Sequence, residues 1–186
     1  TACSSWTKPS VNSILCGRYP HRNKLVGAPF SQFDEPPMII AEQLQMAGYQ
    51  TVGISSNMLI TPISEYDRGF DCFDTRPVSG AATNSTFEMR DAILSRLPKE
   101  GDTPFFLFAH FMDPHDLYSP PSPYASIFDA ANPSAMMRKT VKEGHAGQVQ
   151  NDLDDGIGEA LTAEELSWLN ALYRSEIRCV DTALGD

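Results

Sequence analysis

No run of apolar residues in this 186-residue chain approaches the ~20 needed to cross a bilayer, so it carries no candidate transmembrane helix. No signal peptide is visible either. Cysteine is sparse and scattered: residues 3, 16, 72 and 179 form no Cys-x-x-Cys pair, which excludes a zinc ribbon. That spacing fits free thiols and does not forbid a disulfide. Positive charge is also short, with 14 Lys and Arg against 24 Asp and Glu and a formal net charge of −10. Such a surface repels nucleic acid and anionic membranes, so nucleic acid is not an expected partner. The acidity gathers between Asn151 and Glu165 but lacks the alternating oxygens and terminal Glu of a calcium loop. Asp152, Asp154 and Asp155 therefore read as a solvated face.

A hydrophobic content of 41% is enough to build one globular domain with a real core. Helical patterns alternate with strand-like ones. Pro37 to Ala47 reads as a helix stopped by Gly48, and Gln50 to Ser56 as the strand that follows. Thr61 to Ser79 reads as loop, and Asn84 to Leu97 as a helix capped by Asn84 or Ser85, with Phe87, Ile93, Leu94 and Leu97 apolar. Phe105 to Phe111 is a strand whose apolar run suits burial on both faces. A Thr-x-x-Glu box, Thr162 and Glu165, opens a long helix with Leu166, Leu169, Leu172, Tyr173, Ile177 and Val180 on one side. This alternation predicts an α/β fold with a largely parallel sheet, the two strands being neighbours or near-neighbours. Ligand groups gather beyond the carboxyl ends of such strands, which directs attention to Asn57 and to Asp113-Pro114-His115-Asp116. Tyr118 to Gly158 has no repeat or motif and reads as an insertion that shapes substrate access.

Thr7-Lys8-Pro9-Ser10, running through Ile14-Leu15-Cys16 into Gly17, has the form of a short helix with a hydroxyl at its start. Pro9 suits the first turn and Gly17 the exit. An oxygen placed there lies among unpaired backbone N–H groups at the positive end of the helix dipole, where a phosphate or sulfate ester is attracted. An ordinary capped surface helix has the same local pattern.

The stretch continues as Gly17-Arg18-Tyr19-Pro20-His21-Arg22 and resembles the sulfatase family of the alkaline-phosphatase superfamily. Later blocks follow in the family order: Ile40 to Thr51, Asp67-Arg68-Gly69-Phe70-Asp71, Phe105 to His115, and Tyr173 to Gly185. The resemblance implies an alkaline-phosphatase-like sheet sandwiched by helices, incomplete here. It makes Thr7 the nucleophile and a metal ligand, and His115 the group that binds ester oxygens or assists the leaving group. Lys8 and Asn57 can each donate to a phosphoryl oxygen, or be an ordinary surface lysine and strand-end asparagine. Asp113 and Asp116 are expected to fix the turn around His115, and His110 to be a core or supporting residue.

The resemblance further implies a divalent metal ion (zinc, calcium, magnesium or manganese), most of whose ligands lie outside this chain. It implies a small-molecule or headgroup ester as substrate, and the chain is expected to be the N-terminal-to-central part of a larger catalytic domain. Its departures are informative. Where the family converts Cys or Ser to formylglycine, this chain has Thr7, and the Arg four residues on is Val11. A secondary alcohol does not give that aldehyde, and superfamily members with a Thr nucleophile act on phosphoryl groups. Three expectations follow: phosphoryl ester chemistry, a sulfuric-ester hydrolase with an unusual nucleophile, or a silent sulfatase-like binding domain.

Overall fold

The computed structural model describes residues 2–23, 37–76, 86–98, 101, 103–115, 118–128 and 161–185. Two compact units divide the chain: Thr1–Pro77 with Asp91–His110, and Val78–Arg90 with Phe111–Asp186.

The first unit holds helices α1 (Thr7–Cys16), α2 (Pro20–Asn23) and α3 (Ile40–Met46), and strands β1 (Gln50–Ser55), β2 (Cys72–Thr75) and β3 (Phe105–His110). The strands form one parallel sheet in the order β2-β1-β3. β1 and β3 are neighbours, as expected, and run in register from Gln50↔Phe105 to Ser55↔His110. β2 lies inside the Thr61-to-Ser79 stretch that the sequence suggests is loop. β3 is half-buried rather than enclosed on both faces.

Register explains the core. Thr51, Gly53 and Ser55 share a face with Phe106, Phe108 and His110, and Gly53 also pairs with Phe73 on β2. A Cβ on Gly53 would stand 2.3 Å from the Phe73 ring, so glycine makes room for the aromatic layer. Phe70, Phe73, Phe106 and Phe108 pack against a buried cluster of Val11 and Leu15 from α1, Ile39 just before α3 and Ala41 within it, and Ile60 and Tyr66 beyond β1.

The Asp67-to-Asp71 block is a lock. Gly69 has φ +70°, and a Cβ there would meet the Glu42 backbone nitrogen at 2.3 Å. Arg68 donates to both Glu42 oxygens, at 3.1 and 2.8 Å, and to the Pro37 carbonyl at 2.7 Å. Asp71 accepts from Gln45 Nε2 at 2.7 Å and from the Thr51 N–H at 2.9 Å, tying α3 to β1.

Hydrogen bonding from Arg68 holds the Glu42 carboxyl below the usual glutamate range, although burial opposes it. Because the folded value lies below the unfolded one, this stabilisation is fully present above the ordinary glutamate pKa and is lost as pH falls below that value and through the lower, folded one. Glu42→Gln is therefore expected to cost about 1 kcal/mol at pH 7, a modest figure for a half-buried pair. Urea unfolding should show the difference shrinking toward zero once the pH drops below about 4. An unchanged difference at acid pH would contradict the assignment.

The second unit contains the start of α4 (Thr86–Arg96) and all of α5 (Ala163–Gly185). The proposed caps of α4, Asn84 and Ser85, lie outside the described residues, as do Asp116, Asp152, Asp154, Asp155 and residues 129–158 of the expected insertion. Along α4, Met89, Ala92 and Ile93 are buried while Leu94 is exposed. The Thr162–Glu165 box forms as read: the Thr162 N–H donates to Glu165 Oε2 at 3.0 Å and the Glu165 N–H to Thr162 Oγ1 at 3.2 Å. The buried face of α5 differs from the expected one. It consists of Ala171, Ser175, Glu176, Cys179 and Ala183, whereas Leu166, Tyr173 and Ile177 are exposed. Small residues spaced by four let this face approach its neighbours closely, and that outweighs side-chain hydrophobicity.

Candidate active site

β1 and β3 end together at Ser55↔His110, and the chain beyond them is tightly held. The Ser56 N–H and hydroxyl both donate to the His110 carbonyl, at 3.0 and 3.1 Å. Asn57 follows at once, 5% exposed, in a turn of its own making. Its N–H donates to Ser55 Oγ at 3.1 Å, its Oδ1 accepts from the Leu59 N–H at 2.8 Å, and its carbonyl accepts from the Ile60 N–H at 3.1 Å. This is an Asx-type turn, which an Asn side chain forms readily. The turn thus engages the side-chain oxygen as an acceptor.

Ile60, which closes that turn, belongs to the same buried cluster as Val11 and Leu15 of α1. Thr7 is the first residue of α1 and is half-buried. Trp6 precedes it in extended conformation, with φ −114° and ψ 136°, and no side chain caps the helix. The first turn holds no acidic residue, so nothing there competes with an incoming anion. Gly17, at φ +67°, closes the helix by donating to the Ser13 carbonyl, as the sequence suggests. Lys8 lies beside Thr7 but is only 3% exposed, and burial pulls its pKa below the ordinary lysine value. The Tyr66 hydroxyl donates to the Lys8 carbonyl at 3.2 Å and fixes the first turn of α1 from the loop beyond β1. Burial pushes the Tyr66 phenol well above its usual range, so it remains a neutral donor. Tyr66 went unnoticed in the sequence; its place just before the Asp67 block was the available signal.

His110 closes β3, half-buried, its ring 6.5 Å from that of Phe108. His115 belongs to the second unit and is exposed. Two residues before it, Asp113 is 9% exposed, and burial raises its pKa above the usual aspartate value while hydrogen bonds from Thr86 oppose the shift. The Thr86 hydroxyl donates to Asp113 Oδ2.

Among the described residues, no three His, Cys, Asp or Glu side chains gather so as to hold a metal ion. The described residues thus do not compose a metal centre, and Thr7 stands as a candidate ligand without such companions among them. No helix among the described residues is long and apolar enough to cross a membrane.

The sulfatase family pattern matches residues 1–185. The chain belongs to the sulfatase family. No curated protein is significantly similar to it in sequence. Among solved structures it is similar to the phosphonate monoester hydrolase of Agrobacterium radiobacter, with a TM-score of 0.65 and 18% identity over 99% of this chain and 49% of that one. It is also similar to a protein solved in complex with its substrate D-glucosamine-2-N,6-O-disulfate, with a TM-score of 0.57 and 17% identity over 99% of this chain and 52% of that one. The chain thus spans about half the length of these sulfatase-like structures, and the likeness establishes the α/β fold. Val11, which the resemblance sets where an Arg is expected, is buried in the α1 core cluster. The side chain there serves packing.

Proposed function

We propose that this sulfatase-family protein is an ester hydrolase that favours phosphoryl over sulfuryl substrates, with Thr7 as its nucleophile. The observation that carries this reading is a threonine at the first position of a helix whose N-terminus has neither a side-chain cap nor an acidic residue. Thr7 Oγ1, giving up its proton to solvent, would attack phosphorus, forming a new P–O bond as the bond to the leaving alkoxide breaks, and water would then release the phosphoryl group and return a proton to the threonine oxygen. The positive helix end favours the anionic group in flight. Lys8 and Asn57 are proposed to donate to the nonbridging oxygens. His115 is proposed to supply the proton that the leaving oxygen needs, a task suited to imidazole near neutral pH. The divalent metal that the family resemblance implies would draw most ligands from elsewhere in a larger catalytic domain. Residues 118–158 are proposed to shape access for the ester's organic part. The Agrobacterium relative is a phosphonate monoester hydrolase, so a scaffold of this kind accommodates phosphorus chemistry.

The test is turnover by the full-length protein of chromogenic phosphate mono- and diesters beside the matching sulfate ester. Faster phosphate or phosphonate turnover is expected. Dominant sulfate turnover would make it a sulfuric-ester hydrolase, and no turnover of any of them would favour a silent binding domain.

A further inference from the structure

Described residues on either side of His115 in the chain are held by side chains that the proposed chemistry does not use. On its near side, Asp113 accepts a hydrogen bond from the Thr86 hydroxyl and another from the Thr86 backbone N–H, the first residue of α4. A carboxylate on the first N–H groups of a helix is a favourable anchor. On its far side, the Ser119 N–H donates to Glu176 Oε1 at 2.6 Å. Thr86 is 1% exposed and Glu176 2%, so neither anchor is a mobile surface contact. Cys179, one helical turn from Glu176, is 1% exposed and interacts with both Thr86 and Asp113, so the two anchors share one buried environment. His115 itself is exposed between them.

We infer that Thr86 and Glu176 are positioning residues, which hold Asp113 and Ser119 on either side of His115 in the chain and thereby set where its imidazole stands. The inference rests on the proposed role of His115. Burying a threonine hydroxyl, an aspartate and a glutamate costs stability unless each is bonded, and apolar residues would fill the space without that cost. What polar anchors supply instead is direction, since a hydrogen bond fixes a segment along one line and apolar packing does not. A displacement of about 1 Å in a reacting group can cost on the order of a hundredfold in rate.

A double-mutant cycle in the full-length enzyme tests this. Thr86→Val keeps the β-branched shape but deletes the donor, and kcat on a phosphate ester is expected to fall about ten- to hundredfold with little change in KM. Thr86→Ser, which keeps the hydroxyl, should recover most of the loss. In the His115→Ala background, Thr86→Val should add almost nothing, because the group it positions is already gone. Glu176→Gln provides a second arm if Thr86→Val folds poorly. Hydrogen exchange across residues 111–119 should quicken in either variant while β1 and β3 stay protected. Losses that multiply with His115→Ala, or folded variants of both residues with wild-type kcat and exchange, would overturn the inference. If His115→Ala alone is fully active, the role of His115 fails, and the inference with it.

Discussion

Thr7→Ala in the full-length enzyme is expected to remove nearly all turnover, by several orders of magnitude, while leaving the fold intact. The variant deletes the proposed attacking oxygen and nothing that holds α1 in place. That helix is anchored by Val11 and Leu15 in the core and by the Tyr66 bond to the Lys8 carbonyl, and its N-terminus uses no side-chain cap. Melting temperature should therefore shift little. Thr7→Ser keeps an oxygen and loses only a methyl group, so it should retain a measurable part of the rate. The paired variants separate chemistry from structure: a fully active Thr7→Ala enzyme would remove Thr7 from the mechanism, whereas loss of activity with loss of folding would make it structural.

The largest stability effect is expected at Gly69. Alanine at φ +70° pays the left-handed conformational penalty of about 1–2 kcal/mol and must also displace the Glu42 backbone, 2.3 Å from its Cβ, for a further 1–3 kcal/mol. Backbone cannot swing aside as a flexible side chain can. Gly48→Ala is the control: Gly48 has φ +86° but nothing within 4 Å of an added Cβ. It should lose only the conformational part. Urea unfolding of both variants, at equal m-value, measures the gap between them. Equal losses would show that the Gly69 contact with α3 does not matter.

The parts of the fold legible in the sequence were those whose signal is local. Pro9 and Gly17 bracket α1, Thr162 and Glu165 open α5, and apolar runs mark β1 and β3, whose pairing followed from the parallel α/β pattern. β2 was not legible, because Cys72 to Thr75 is short and carries Asp74. Its identity comes from pairing with Val52 to Ser55, a partner 20 residues away in the chain. The buried face of α5 was misread for a related reason. Size and hydrophobicity pointed to Leu166, Tyr173 and Ile177, but close packing selected Ala171, Ser175, Cys179 and Ala183.

At the site, the helix position of Thr7 and the strand-end position of Asn57 could be read directly from sequence. The burial of Lys8 could not. A lysine after a surface-type helix start gives no hint that Tyr66, 58 residues on, will reach its carbonyl. The same holds for Thr86 and Glu176, whose partners Asp113 and Ser119 lie 27 and 57 residues away. Long-range polar bonds of this kind leave no periodic trace.

The most direct test of Thr7 as a phosphoryl acceptor is a rapid-quench experiment with a ³²P-labelled phosphate ester. The full-length enzyme is stopped in acid during the first turnover, and the labelled peptide is mapped. The account predicts label on the peptide containing Thr7, absent from Thr7→Ala. Label on a different residue, or a product burst that leaves no label on the protein, would contradict it.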